Sequence, residues 1–233
     1  MATVTDGRLA VCVFAKPPRA GHAKTRLAAG LGGDVAARLA RAFLRDTWSL
    51  VRSLDWAVPI LATTDVHDPF WTELAGAEVW SQGDGDLGTR MTRILNRALE
   101  HAPVALLIGS DAPGVPLSAL SQARAALRFA DVVIGPAADG GFYLIGCREP
   151  FPTGALDGIL WSTAETRIET ERRLRSLRRS VVEVTPWFDV DEVEDLERLR
   201  HLGERLARTA PETARVLEDI PRLEADASLP EGA

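Results

Sequence analysis

An α/β domain, built on a mostly parallel sheet with helices on both faces, is the fold class this sequence predicts. Three observations predict it. Apolar runs of strand length alternate with helical patterns along most of the 233 residues. Short polar segments recur at the carboxyl ends of those runs, where ligands bind in open α/β sheets. Only one pair of runs is close enough in sequence for a tight antiparallel turn, so most strands must be joined by crossovers through helices.

The first strand is expected at 9–15, an apolar run containing Cys12. A helix follows at 34–54, with Asp34 as N-cap and Val35, Leu39, Phe43, Leu50 and Leu54 recurring on roughly one face. Strands at 58–63 and 77–80 flank a short helical turn at 69–74. A glycine-rich segment then opens a helix at 89–101, followed by a strand at 104–109 and a helix at 117–128. Strands at 132–135 and 142–146 lie across a glycine turn, which allows one antiparallel or edge element. A helix at 164–177, a strand at 181–184 and a helix at 192–207 complete the pattern. Residues 1–210 form one domain in this reading. Residues 211–233 form an acidic extension with Pro221 and Pro230, fraying from about Asp226.

Composition bounds the function. A net charge of −6 argues against non-specific binding to nucleic acid or to an anionic membrane. No apolar run approaches the ~20 residues that span a bilayer. The amino terminus lacks a basic start followed by a long apolar stretch, so no secretion signal is read and a cytoplasmic location is expected. Cys12 and Cys147 are expected as buried free thiols. The histidines are scattered and none pairs with a cysteine at metal-ligand spacing, which argues against zinc. Ser110 and Ser162 lack the Gly-x-Ser-x-Gly setting of a hydrolase nucleophile. The arginines between 172 and 179 lie near Glu169 and Glu171 and read as a solvated helix face.

The basic residues are distributed unevenly. The chain has 27 of them, and its only two lysines, Lys16 and Lys24, both fall in the loop after the first strand. With Arg19 and Arg26 they make a local anion site, and there is no acid from Arg8 to Gly33. Lysine is a compact point charge suited to phosphate oxygens. The loop is neither Gly-x4-Gly-Lys-Ser/Thr nor Gly-x-Gly-x-x-Gly, so a P-loop and a Rossmann dinucleotide site are disfavoured. Pro17 and Pro18 stiffen it. Lys16, Lys24 and Arg26 are therefore expected to hold phosphates, with Lys24 exposed and contributing little to stability.

Acidic residues suggest a divalent cation. Asp111 closes an apolar strand and reads either as a turn residue or as a ligand to Mg²⁺ or Mn²⁺. Asp189 and Asp191, at i and i+2 in an extended segment, point to one face. Asp191 could instead form a capping box with Glu194, which leaves Asp189 the better ligand candidate. Gly85, Asp86 and Gly88 at the start of the 89–101 helix are candidates to border a nucleotide. Asp139, Gly140 and Gly141 are candidates to border a sugar or acceptor, or to form only a turn.

Taken together, these segments resemble the bacterial arsenosugar-biosynthesis-type glycosyltransferases, formerly a domain of unknown function, in the GT-A nucleotide-diphospho-sugar transferase superfamily. The resemblance runs from about residue 9 to 205. It is carried by the loop from Phe14 to Leu27, by Gly85-Asp-Leu-Gly-Thr-Arg-Met91, by Ile108-Gly-Ser-Asp-Ala-Pro113, by the stretch from Gly135 to Gly146, by Trp161-Ser-Thr163 and by Phe188-Asp-Val-Asp191. The lysine-bearing loop also looks like that of phospholactate and molybdenum-cofactor guanylyltransferases. The resemblance implies a GT-A-like three-layer α/β/α fold and a nucleoside diphosphate or triphosphate held with Mg²⁺ or Mn²⁺. It implies transfer of a sugar from a nucleotide-sugar to a small acceptor. The alternatives are nucleotidyl transfer from a nucleoside triphosphate to a phosphorylated small molecule, and a catalytically silent nucleotide-binding domain. Gly109-Ser-Asp111 keeps only the second acid of the Asp-x-Asp common in this fold, so metal ligation by Asp111 leans on Asp189 or Asp191.

Overall fold

A computed structural model describes residues 7–221. Its centre is a seven-stranded sheet in the order β3-β2-β1-β4-β6-β5-β7. The strands are β1 Leu9–Ala15, β2 Ala57–Thr63, β3 Glu78–Ser81, β4 Ala105–Gly109, β5 Val132–Pro136, β6 Phe142–Cys147 and β7 Val181–Glu183. All neighbours are parallel except around β6, which runs antiparallel to both β4 and β5. The reversed strand is therefore interior, and its amino end joins the carboxyl ends of the others at one edge.

Side-chain alternation along β1 explains the layering. Leu9, Val11 and Val13 face one apolar cluster with Trp48, Val51, Phe70 and Leu120. Ala10 and Cys12 face the opposite cluster, which contains Ile94, Leu95 and Leu174. Helix α2 (Gly33–Arg52), a 3₁₀ turn (Pro69–Glu73) and α4 (Leu117–Ala126) cover the first face; α3 (Leu87–Leu99) and α5 (Thr166–Ser176) cover the second. Residues i and i+1 of a strand point to opposite faces, so a strand buried on both sides reads as a continuous apolar run. Cys12 and Cys147 are buried, unbridged thiols of the second face.

Several local expectations change. Helix α1 (Thr25–Leu31) occupies the end of the basic loop, which the sequence read as irregular. Helix α2 is N-capped by Gly32 rather than Asp34, which sits in its first turn. The apolar residues expected on its one face divide between two clusters: Leu50, and Leu54 just beyond the helix, pack toward the sheet, whereas Leu39 and Phe43 join a third cluster with Leu27, Val190, Leu196 and Leu217. The 192–207 helix is broken at Gly203, whose φ of 52° ends α6 (Val193–His201) before α7 (Glu204–Thr209).

Directly after residue 210 the chain forms a helix. Helix α8 (Pro211–Glu218) packs on α2 and buries Leu217, so the boundary drawn there falls inside packed structure. The fraying expected from about Asp226 lies outside the described residues. Asp46 on α2 is the anchor: it is buried, and its carboxylate accepts from Glu212 N (3.0 Å), Thr213 N (2.8 Å) and Thr213 Oγ1 (2.6 Å). Burial pushes the Asp46 carboxyl pKa up, against those hydrogen bonds. Asp46→Ala leaves the Thr213 donors buried without an acceptor and is expected to cost about 1–3 kcal/mol in urea unfolding. Asp46→Asn, which keeps one acceptor oxygen, should cost less; equal unfolding midpoints in all three proteins would remove this anchor.

A candidate active site with two cavities

The carboxyl ends of β1, β4 and β5 and the amino end of β6 converge on one edge. The chain beyond β7 returns to it. Trp187 pairs with Ala137 and donates from its backbone to Pro136 O (2.9 Å), and Val190 N donates to Asp111 O (2.9 Å). The Trp187 indole donates to Pro113 O at 3.0 Å. Extended backbone then sorts the side chains. Phe188 and Val190 enter the core, whereas Asp189 and Asp191 turn to the cavity that Asp111 and Asp139 also line. The expected one-face placement of Asp189 and Asp191 is observed.

Asp191 is not used as a helix cap. The capping box of α6 is Glu192 with Asp195, and Asp195 Oδ2 accepts from Asp191 N and Glu192 N, both at 3.0 Å. The Asp191 carboxylate instead meets Lys24. Lys24 Nζ lies 2.8 Å from Asp191 Oδ1 and 2.9 Å from Asp111 Oδ1. Its side chain is only 5% exposed, against 57% for Asp111 and 45% for Asp191. The expectation of an exposed lysine is therefore corrected. Burial alone would lower the Lys24 pKa, but Asp111 and Asp191 outweigh it and the net direction is upward. Lys24 also precedes α1 with φ 52°, a left-handed conformation costly for a residue with a Cβ. Ser162, with φ 59°, lines the same region.

Two adjoining cavities share Phe14, Leu87, Asp111, Ser162 and Asp191. The larger, about 470 Å³, carries Lys16, Lys24, Arg26 and Arg90. The smaller, about 250 Å³, carries Asp111, Asp139, Asp189 and Asp191 beneath Phe14, Phe142 and Trp161. Asp189 takes part in no hydrogen bond or ion pair among the described residues. Burial first, then the charges of Asp111 and Asp139, push its carboxyl up to about 7.

Other expected residues divide between site and scaffold. Arg19 turns away from the cavities to pair with Asp65 and Asp68. Gly85, Asp86 and Gly88 line neither cavity. Asp86 caps α3 through Thr89 N (2.8 Å), and a Cβ on Gly88 would lie 2.6 Å from Leu156 O. Asp139 and Gly141 line the smaller cavity, with Asp139 Oδ1 accepting from Gly141 N at 2.8 Å. Gly140 does not line it; a Cβ there would collide with Ala164 Cα at 2.3 Å.

Sequence reasoning missed Gln82 and Arg90. Gln82 is buried directly after β3, donates to Ala15 O (3.2 Å) and Ala62 O (2.9 Å), and accepts from Arg90 Nη1 (2.7 Å). It thereby holds the Arg90 guanidinium at the larger cavity. The available signal was position: Gln82 leaves a carboxyl strand end, and Arg90 lies one turn beyond the α3 N-cap Asp86.

A family of uncharacterized proteins conserved in bacteria (DUF2064) matches residues 47–163. The chain belongs to this family. For this DUF2064 chain, a similar solved structure is a provisionally assigned nucleotide-diphospho-sugar transferase from Desulfovibrio desulfuricans G20. The two are 31% identical with a TM-score of 0.82, over 90% of this chain and 94% of that one. A cytidylyltransferase from Leptospira borgpetersenii (12% identity, TM-score 0.54, 93% and 99% covered) shares the fold. So does a CMP:2-keto-3-deoxy-manno-octonic acid synthetase complexed with CTP (13%, 0.51, 85% and 99%). No curated protein matches the chain. The fold is thus that of the nucleotide-diphospho-sugar transferases.

The Lys24 bridge makes an asymmetric prediction. Lys24→Met leaves two half-exposed carboxylates that water can reach, and should cost about 1 kcal/mol. The double substitution Asp111→Asn with Asp191→Asn strands a buried ammonium and should cost about 3 kcal/mol or more. Urea unfolding of both variants checks the order; the reverse order would refute the asymmetry, and wild-type midpoints in both would show that the bridge does not bear on stability.

Proposed function

We propose that this protein transfers a sugar from a nucleotide-sugar to a small acceptor, releasing a nucleoside diphosphate. The observation that supports this most is the grouping of Lys16, Arg26 and Arg90 in the larger cavity and of Asp139 and Asp189 in the smaller, with Asp111 and Asp191 on the border that both share. Leaving diphosphate gathers negative charge as the glycosidic bond breaks. Preorganised cations at that position stabilise the transition state more than the ground state. Lys16, Arg26 and Arg90 are the residues that would do so, with Arg90 aimed by Gln82.

The smaller cavity suits a polyol. The carboxylates of Asp139, Asp189 and Asp191 accept hydrogen bonds from hydroxyls, and Phe142 and Trp161 offer apolar walls for the C–H face of a ring. A phosphorylated acceptor would bring its anion beside four aspartates, which like-charge repulsion opposes. Sugar transfer is therefore favoured over nucleotidyl transfer. The 31% identical relative with a nucleotide-diphospho-sugar transferase assignment is consistent with it. The finer resemblance to arsenosugar-biosynthesis-type glycosyltransferases belongs to the same proposal, as does a cytoplasmic setting; no described helix is long and apolar enough to cross a membrane.

The resemblance also implies Mg²⁺ or Mn²⁺. Carboxylate oxygens are the right donor type for such hard ions. As arranged, however, Asp111, Asp189 and Asp191 do not fit one: Lys24 Nζ contacts the Oδ1 atoms of Asp111 and Asp191, and among the described residues no three acidic, histidine or cysteine side chains are grouped to hold an ion.

Incubation with nucleotide-sugars, or with nucleoside triphosphates, and a panel of small acceptors separates the readings. Nucleoside diphosphate release with a glycosylated product is expected. Pyrophosphate release would establish nucleotidyl transfer instead, and nucleotide binding without turnover of any donor would favour a silent binding domain. Lys16→Ala and Arg90→Ala should each weaken nucleoside diphosphate binding by about 1.5–3 kcal/mol, the range for a charge-assisted hydrogen bond. Fluorescent nucleotide titration at fixed salt measures this, and unchanged dissociation constants would remove the larger cavity from the phosphate site.

A further inference from the structure

The carboxylates that should attract a divalent ion already hold a cation belonging to the chain. We infer that the Lys24 ammonium is the resident cation of Asp111 and Asp191, and that it closes this carboxylate cluster to divalent ions in the nucleotide-free protein. The inference rests on the geometry of the cluster and not on the sugar-transfer reading.

Competition is direct. Lys24 Nζ contacts Asp191 Oδ1 at 2.8 Å and Asp111 Oδ1 at 2.9 Å. A Mg²⁺ bonded to the same two Oδ1 atoms at about 2.0–2.1 Å would take the place the ammonium holds between them, so the two cations compete for those oxygens. Lys24 cannot easily swing aside. Its side chain is 5% exposed, its Nζ lies 5.8 Å from the Phe43 ring centre, and its backbone is the N-cap of α1. Displacing it would strand a buried positive charge, whereas the aspartates stay half-exposed in either state.

Charge balance sets what removal of the lysine would do. Asp139 and Asp189 line the smaller cavity with the bridged pair Asp111 and Asp191, and Lys24 is the cation that meets this set of carboxylates. With Lys24 neutralised, that group has no internal counter-charge, and its all-oxygen chemistry suits a hard divalent cation.

Mn²⁺ alone is the probe, and its loss from the free electron paramagnetic resonance signal reports binding without any donor or acceptor. The nucleotide-free wild type is expected to take up no Mn²⁺ at this cluster. Lys24→Met should bind one Mn²⁺ per chain at least tenfold more tightly, and adding Asp111→Asn to that variant should abolish the gain. Folded Lys24→Met that binds no better than wild type would overturn the inference. Should Lys24→Met melt below the assay temperature, Lys24→Gln takes its place with the same two outcomes. The wild-type titration also decides by itself: one tight Mn²⁺ per chain, lost in Asp111→Asn and in Asp191→Asn, would show an open metal site and refute the resident cation. Because no sugar donor is used, any of these results leaves the transfer assay to stand or fall separately.

Discussion

One ion pair network ties together the three parts of the chain from which the site is made. Lys24 follows the first strand, Asp111 follows β4, and Asp191 lies beyond β7, 167 residues from the lysine. Burying an ammonium is costly, and the two carboxylates return that cost only because their oxygens meet it at hydrogen-bond distance. Such a network adds little net stability compared with an apolar replacement. Its effect is positional: it fixes where the basic loop ends, where Asp111 points and how the 187–191 segment crosses the sheet edge. The main-chain bond from Val190 to Asp111 works to the same end from the other side.

The sheet supplies the stage for that network. Parallel strands deliver their carboxyl ends to one edge, and the single reversed strand, β6, brings its amino end to the same place. Phe142 and Tyr143 therefore reach the smaller cavity from a strand running the opposite way. Tyr143 is held by donating to Thr185 O at 2.8 Å, which again links β6 to the segment beyond β7. The third apolar cluster, between α2 and α6 to α8, seats Val190 and so backs the segment carrying Asp189 and Asp191. A helix that sequence patterning assigned to an extension, α8, belongs to that backing through Asp46.

Most of the fold was legible because both-face burial leaves unmistakable apolar runs; the bounds of β1 agree residue for residue with its run from Leu9 to Ala15. The short helices were not legible. Helix α1 lies within a stretch that charge and proline made look like a loop, and α8 is a short helix, Pro211–Glu218, inside an acidic stretch whose prolines suggested a tail. Within the site, Asp111, Asp139, Asp189 and Asp191 were legible because strand ends and i, i+2 spacing place side chains with little ambiguity. Gly85, Asp86 and Gly88 lie outside both cavities, and at Gly88 a glycine needed for close packing against Leu156 looks the same in sequence as one needed for a ligand. Gln82 and Arg90 escaped notice since their roles come from a tertiary hydrogen bond that no local pattern encodes.

The rarity of lysine in this chain acquires a second explanation at position 24. The expected reason was a point charge for phosphate, and Lys16, exposed at the larger cavity, remains compatible with that. At Lys24 the constraint is steric and electrostatic together. A side chain almost wholly enclosed must place one positive centre within hydrogen-bond distance of two oxygens from different segments. An ammonium with rotatable donors meets both from a single nitrogen. A guanidinium spreads its charge over a planar fork and would push the two carboxylates apart or leave donors unpaired. The same compactness keeps the larger cavity open beside the bridge, so the residue that closes the carboxylate cluster leaves room for an anion next to it. A chain otherwise written in arginine thus uses lysine where a single small cation must sit between acids.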